Sequence, residues 1–216
     1  AGIALEIVDG GVMDRIAISN VTIEGTTAPL FLRLGNRARP AKETDPKPPV
    51  GAMRNISISN VIATGASATG CAIAGLPGHP IENLALSNVR INFQGGGTLE
   101  HFNRDISEEA SGYPECTMFG ILAAYGFYIR HARGVLLDDL TLSYDEPEQR
   151  PAIVCNDVTD LRITGLATAT SPDAPSQLVV RDARDALIAD CRDAAEPSFV
   201  KLEGSCEKIR VESKTR

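Results

Sequence analysis

The sequence predicts an all-β protein, a parallel β-helix of about seven coils, because one short phrase recurs along it. The phrase has a polar pair, an apolar residue, any residue, an apolar residue, a small polar residue, Asn or Asp, and Val or Leu. It is clearest at 14–21, 54–61 and 82–89. The first apolar residue of each copy stands at position 16, 56, 84, 135, 161, 186 or 209, which gives steps of 40, 28, 51, 26, 25 and 23 residues. A minimum near 25 with longer excursions indicates coils of fixed size joined by variable loops.

A second strand precedes each copy of the phrase. These strands are predicted at 2–8, 29–34, 70–76, 126–131, 152–155, 177–181 and 199–202. Apolar residues alternate with period two at 3–7 and 16–18, as they do in half-buried strands. No window of eleven or more residues has helical periodicity, and the best short helical candidate is 107–110.

The leucine-rich repeat is the competing solenoid, because its Asn also follows a strand. It predicts one strand and a helical or irregular arc in a repeat of about 20–29 residues. Both halves of the present repeat look like strands, and two repeats are much longer, which favours the parallel β-helix. Asn20, Asn60 and Asn88 fall at the same turn, where Asn tolerates left-handed backbone and can form a hydrogen-bonded ladder.

Composition narrows the classes of partner. The 216 residues carry a net charge of -7, which argues against nucleic acid, and no apolar run reaches the ~20 residues that cross a bilayer. The three His residues lack metal-ligand spacing, so we expect no metal and no cofactor. Cys71, Cys155 and Cys191 lie in apolar strands as buried thiols would, although a Cys155–Cys191 or Cys191–Cys206 disulfide remains an alternative.

Two long excursions interrupt the repeat, at 35–52 and 94–124. The first contains several Arg, Lys and Pro residues, and the second contains a run of three glycines and an acidic stretch. Loops of this length in a regular solenoid are usually functional or disordered. We expect them to form the walls of a groove, and the loop-free last three coils to be structural.

Four segments resemble one enzyme family: 2–11, 29–37, 77–83 and 124–131. Together they are similar to the C-terminal half of bacterial family 28 glycoside hydrolases, the polygalacturonase-like pectin enzymes. The resemblance implies a right-handed parallel β-helix that hydrolyses the O-glycosidic bonds of pectic polysaccharide with inversion, using two carboxylates as general acid and general base. It also implies a secreted or periplasmic protein that is monomeric at full length.

The family's first three catalytic signatures, N-T-D, D-D and G-H-G, have no usable counterpart here. The pair Asp138-Asp139 occupies the Ser-Asn position of the repeat, the Gly78-His79-Pro80 segment precedes that pair instead of following it, and Asn156-Asp157 lacks the Thr. We therefore expect no catalytic residue in this chain. Residues 1–216 are predicted to be the C-terminal portion of one β-helix domain, inactive alone, with the catalytic carboxylates upstream of Ala1.

The fourth signature, R-I-K, can be placed. In the alignment of 2–6 with G-I-R-I-K, Ala4 stands at the Arg and Glu6 at the Lys. Because Glu cannot recognise a sugar carboxylate, the subsite takes a neutral sugar such as rhamnose or galactose, or a cation elsewhere meets the carboxylate. The residues predicted to bind the pectic polysaccharide are Glu6, Asp9, Arg33, Asn36, Arg37, His79, Tyr125, Tyr128, Arg130 and His131.

Two other classes share the predicted fold. A pectate-lyase type of enzyme needs Ca²⁺ held by grouped carboxylates, and the sequence lacks grouped Asp on successive coils. A non-catalytic carbohydrate binder of the adhesin or tailspike kind needs only a groove. Because the first coil would expose strand edges, we expect the isolated piece to associate through them.

Overall fold

The computed structural model describes residues 1–169, 171, 173–192 and 199–212. Within these ranges the protein is all-β, with thirteen strands and one short helix. The elements are β1 Ile3–Ile7, β2 Val12–Glu24, β3 Leu30–Leu34, β4 Ala52–Ala66, β5 Cys71–Ala74, β6 Ile81–Gly95, α1 Leu99–Asn103, β7 Phe127–Glu146, β8 Ile153–Thr164, β9 Ala167–Thr168, β10 Leu178–Arg181, β11 Arg184–Ala189, β12 Val200–Glu203 and β13 Glu207–Glu212. That helix does not approach the length and apolar character of a membrane span.

Twelve of the thirteen described strands pair in parallel in two series, and the short β9 pairs in parallel with the later part of β7. One series runs β1, β3, β5, the start of β7, the start of β8, β10 and β12. The other runs β2, β4, β6, the rest of β7, the rest of β8, β11 and β13. Neighbouring strands are therefore equivalent parts of successive repeats, not consecutive parts of the chain.

The register of the second series matches the repeat phrase. Each first apolar residue pairs with the equivalent residue of the next copy, in the order Ile16, Ile56, Leu84, Val135, Leu161, Ala186 and Ile209. The predicted alignment of the seven copies is confirmed. The strands predicted before each copy are also found, with ends that differ by a few residues.

The core lies between the two series and is mainly aliphatic. Leu32, Ile73 and Ile129 occupy one register position of successive strands and are fully buried. Alternate residues of these strands point to the opposite face, because side chains in a strand have a period of two. That outer face carries most of the polar residues discussed below.

The predicted Asn ladder is confirmed. Asn20, Asn60 and Asn88 have φ angles of 61°, 54° and 49°. The Asn60 side-chain amide donates to Asn20 Oδ1 over 3.1 Å, and the Asn88 amide donates to Asn60 Oδ1 over 2.8 Å. Asn suits this turn because it tolerates left-handed backbone and its amide both donates and accepts.

Replacing Asn60 with Ala is expected to lower the free energy of unfolding by about 1–3 kcal/mol, since Ala pays the left-handed strain and breaks the ladder on both sides. Urea denaturation measures the effect. Asn60→Gly is the matched control, because it removes the ladder without the strain and should cost less. An Ala variant as stable as the Gly variant would show that left-handed strain is not significant here.

One prediction about local structure is wrong. The helix is Leu99–Asn103 instead of 107–110, because Thr98 caps it: the Thr98 hydroxyl accepts from the His101 amide, and the His101 ring accepts from the Thr98 amide. The prediction of buried thiols at Cys71, Cys155 and Cys191 is confirmed, and the alternative disulfides are not formed, since all five Cys are free. Burial raises the pKa of the Cys71 and Cys155 thiols to about 12, as expected of inert buried cysteines.

Candidate functional site

The segment 97–124, which we call the cover loop, folds onto the outer face of the first series of strands. Phe102, Phe119 and Leu122 of the loop pack in one buried cluster with Phe31 and Tyr128 of the strands. The loop therefore closes the middle of this face. Partly accessible outer surface remains at Glu6 of β1, before the loop, and at Asn156, Arg181 and Glu203 beyond it, whereas Val154 and Val179 are buried in the same cluster.

Two buried arginines hold the cover loop on the sheet. The Arg33 guanidinium donates to the carbonyl oxygens of Gly75, Glu108 and Glu109 over 3.0, 2.6 and 3.1 Å. The Arg130 guanidinium donates to two further carbonyls of the loop over 2.8 and 2.6 Å. Both lie against the Phe119 ring, with Cζ atoms 5.3 and 4.9 Å from its centroid. Burial and the neighbouring Arg130 charge lower the pKa of Arg33 to about 10.

A buried ion pair fixes the base of the loop. Arg150 Nη2 lies 2.7 Å from Glu148 Oε2, and both side chains are fully buried. The same carboxylate accepts the Gly97 amide over 3.2 Å. A Cβ at position 97 would collide with both charged side chains, so a glycine is required there. Burial raises the pKa of Glu148, but the hydrogen bonds from Arg150 and the backbone outweigh it, and the pKa is lowered overall.

His131 joins the cover loop to β8. Its Nδ1 lies 2.6 Å from Asp157 Oδ2 and its Nε2 lies 2.9 Å from Glu108 Oε1. Each ring nitrogen therefore faces a carboxylate oxygen, one on β8 and one on the cover loop. His131 thus acts as a clasp between the loop and the sheet.

The end of β1 carries the first accessible site. Arg37 forms a bidentate ion pair with Asp9, with Nε 3.0 Å from Oδ1, and the Arg39 amide donates to the same oxygen over 2.9 Å. The hydrogen bond from Arg37 lowers the pKa of Asp9 to about 2. Asp9 and Arg39 line an open cleft of about 890 Å³, whose other lining residues, including several prolines, belong to the 35–52 loop.

An aromatic side chain completes this first site. Tyr113 is 70% exposed, and the Arg37 guanidinium lies 5.5 Å from its ring centroid. The backbone amide of Asn36 donates to the Ala110 carbonyl of the cover loop over 2.6 Å, and this bond joins the two long loops. Partial burial, together with the charge of nearby Glu115, raises the pKa of Glu6. We call the surface formed by Glu6, Asp9, Asn36, Arg37, Arg39, Tyr113 and Glu115 the β1 site.

A second polar surface lies on the far side of the cover loop. One outward register position of the first series carries, in order, Glu6, Arg33, Ala74, Arg130, Asn156, Arg181 and Glu203. Residues from Arg130 onward line a cavity of about 410 Å³, together with Asp105 and Glu108 of the loop. We call it the β10 cavity.

The ten residues predicted to bind polysaccharide fall into several groups. Glu6, Asp9, Asn36 and Arg37 come together in the β1 site. Arg130 and Tyr128 line the β10 cavity but are 2% and 4% exposed, and His131 forms the clasp. His79 is exposed in a turn closed by paired backbone hydrogen bonds with Leu76.

For two of the ten residues the structure corrects the expected placement. Arg33 is 0% exposed beneath the cover loop and cannot contact a sugar in this conformation. Tyr125 lies in the interior, where it makes edge-to-face contacts with Phe93 and Tyr144 at 5.9 and 5.2 Å. Its hydroxyl lies 3.4 Å from the Leu142 carbonyl, and burial raises the pKa of that hydroxyl.

Sequence reasoning missed Tyr113 and Arg181. Tyr113 could have been chosen as the aromatic residue inside a long Pro- and Gly-containing loop. Arg181 occupies the same place in its repeat as Arg33 and Arg130, so aligning the second strands would have found it. Among the residues that the structure describes, no group of three or more His, Cys, Asp or Glu residues is placed to hold a metal ion.

Comparisons of the chain with protein-family models, with curated proteins and with solved structures find no match.

Proposed function

We propose that this chain is the polysaccharide-binding C-terminal portion of a secreted, pectin-type glycoside hydrolase, built as a right-handed parallel β-helix. The β1 site carries the proposal: charged and aromatic side chains meet there at the junction of two long loops, on a stack of parallel strands. Sugar sites combine an aromatic face with a few fixed polar groups. Tyr113 would provide the aromatic face on which a sugar ring packs. Arg37, held in place by Asp9, would provide the fixed polar group.

The coil architecture supports the fold part of the proposal. Seven equivalent strands in each of two series pair in parallel with unbroken order. A β-helix of seven coils stacked at ~4.8 Å would present its outer face as a groove about 34 Å long. The cover loop would divide that groove.

One observation favours a non-catalytic carbohydrate binder as the second candidate. Asp9, with a pKa of about 2, stays ionised and cannot donate a proton near neutral pH. The Asp9 carboxylate therefore suits binding better than acid catalysis. In the hydrolase, carboxylates on preceding coils would supply the acid and base; in a binder they would be absent.

We expect the 216-residue chain to bind pectic polysaccharide without hydrolysing it. Affinity electrophoresis in gels containing homogalacturonan or neutral galactan measures binding, and release of reducing ends measures hydrolysis. Tyr113→Ala should weaken binding about five- to tenfold, because it removes the aromatic face. Ile62→Ala, at an exposed apolar residue of β4, is the matched control and should bind normally.

Three outcomes count against these proposals. Absence of binding to either polysaccharide, or normal binding by Tyr113→Ala, overturns the β1 site. Hydrolysis by the chain alone overturns its role as a binding portion without catalytic residues. The coding sequence upstream of Ala1 separates the two classes: N-T-D, D-D and G-H-G in that order select the hydrolase, and their absence selects the binder.

A further inference from the structure

The β10 cavity is a separate place for a ligand on the same outer face. Asn156, Arg181 and Glu203 come from three neighbouring strands. Arg181 pairs with Asn156 on one side and with Glu203 on the other, so the Cα atoms of each pair are about 4.8 Å apart. Glu108 and Arg104 of the cover loop also line the cavity. The volume of about 410 Å³ is within the range of small-molecule sites.

Arg181 is fixed in this cavity with its outer donors unused. Its Nε donates to Glu203 Oε2 over 2.6 Å, and its Cζ lies 5.1 Å from the Phe102 ring centroid. Among the residues with described positions, none accepts a hydrogen bond from its two Nη nitrogens. The side chain is 24% exposed. A guanidinium held through Nε and stacked on a ring presents a planar pair of donors, the geometry that binds a carboxylate bidentately.

A second arginine of the cavity is also incompletely paired. Arg130 is 2% exposed, and within the described ranges its buried Nε has no hydrogen-bond partner. That nitrogen is shielded from solvent, so Arg130 contributes a positive charge to the cavity wall, which its ion pair with Glu108 at 3.3 Å partly offsets. Both arginines face the same cavity from neighbouring register positions on either side of Asn156.

The net charge of the residues that line the cavity indicates whether a singly or a doubly charged anion fits it better. Its basic residues are Arg104, Arg130, Arg181 and Lys201, and its acidic residues are Asp105, Glu108 and Glu203. The excess of one positive charge suits a single carboxylate better than a doubly charged phosphate. The Asn156 amide adds donors for the hydroxyl groups around a carboxylate, while the Lys201 ammonium is paired with Glu203 Oε1 over 2.7 Å.

We infer that the β10 cavity binds the carboxylate of an acidic sugar through the two Nη nitrogens of Arg181. The inference deepens the proposed function and depends on it only for the choice of sugar, because the two sites share no ligand-binding side chain. In the β1 site Arg37 is already paired bidentately with Asp9 and stacks on Tyr113, so it would bind sugar hydroxyl groups and not a carboxylate. Acidic sugar units would then be recognised at Arg181.

Isothermal titration of the full chain with trigalacturonate, with galactotriose and with inorganic phosphate tests the inference. We expect trigalacturonate to bind most tightly and Arg181→Gln to weaken it about tenfold or more. Arg181→Lys keeps the positive charge but loses the planar pair of donors, so this variant should also bind trigalacturonate weakly. The matched control is Arg162→Gln, at an exposed arginine on β8 outside the cavity. Thermal unfolding of each variant confirms folding, and Asn156→Ala provides a second test if Arg181→Gln does not fold.

The outcomes separate the two sites. Loss of trigalacturonate binding in Arg181→Gln but not in Tyr113→Ala supports the β10 cavity, even if the β1 site fails. Loss in Tyr113→Ala alone overturns the β10 cavity and leaves the proposed function standing. Equal binding of galactotriose, tighter binding of phosphate, full binding by Arg181→Lys, or no binding of trigalacturonate each overturns carboxylate recognition by Arg181.

Discussion

Arg33→Met is expected to free the cover loop from the sheet and to lower the free energy of unfolding by about 2–4 kcal/mol. The Met side chain fills part of the space but donates nothing. Four carbonyl groups, those of Ala74, Gly75, Glu108 and Glu109, lose the guanidinium that they share. Arg130 would still hold the loop through its two hydrogen bonds and its ion pair with Glu108.

Limited proteolysis followed by mass spectrometry locates the change, and urea denaturation gives its size. We expect new cleavages within 104–120 in the variant, since a released loop exposes its backbone. Arg162→Met is the control, because Arg162 is exposed and lies away from the loop's anchors. An unchanged cleavage pattern together with an unchanged unfolding midpoint would show that Arg33 does not anchor the loop.

Arg150→Met is expected to cost about 3–5 kcal/mol, because it leaves the Glu148 carboxylate buried without its counter-ion. In the native protein that carboxylate accepts from the Arg150 side chain and from three backbone amides. The double variant Glu148→Leu/Arg150→Met should recover only part of the loss. It removes the unpaired charge, but the amides of Gly97 and residue 150 then lack their acceptor, whereas the Gln149 amide keeps the Gly97 carbonyl.

The same pair predicts a pH dependence with a definite sign. The pKa of Glu148 is lowered in the folded protein, so its contribution to stability is complete above the unfolded pKa, about 4.3, and disappears as pH falls through the lower folded value. In Arg150→Met the carboxyl is instead desolvated, and its pKa rises. Denaturation at pH 7 and at pH 3 should therefore show a smaller stability difference between native protein and variant at the lower pH. A constant difference would contradict this assignment.

The repeat was readable from the sequence because it is local. Each copy of the phrase carries its own strand period and its own turn residue, so aligned positions such as Ile16 and Ile56 could be identified without long-range information. The Asn ladder followed from the same alignment. The parallel register then results from stacking equivalent segments.

The roles of the outward residues were not readable, because they depend on where a loop lies. Arg33, Arg130 and Arg181 occupy equivalent strand positions, yet the cover loop buries the first two and leaves the third partly open. The contacts that decide this join residues about 75 positions apart, as between Arg33 and Glu108. No periodicity in the sequence encodes such a contact. Tyr125 illustrates the same limit, since its ring turns inward between Phe93 and Tyr144.

The unbroken register across the long loops has a consequence for how such a protein can diverge. β5 pairs directly with β7, and β6 with β7, although the whole cover loop is inserted between β6 and β7. The insertion therefore changes neither the spacing nor the order of the strands around it. Loops of other lengths could replace it while the scaffold stays the same, provided that they cover Phe31 and Tyr128 and meet the arginines beneath. Selection could then exchange one specificity for another by altering a single insertion, leaving the inherited framework intact.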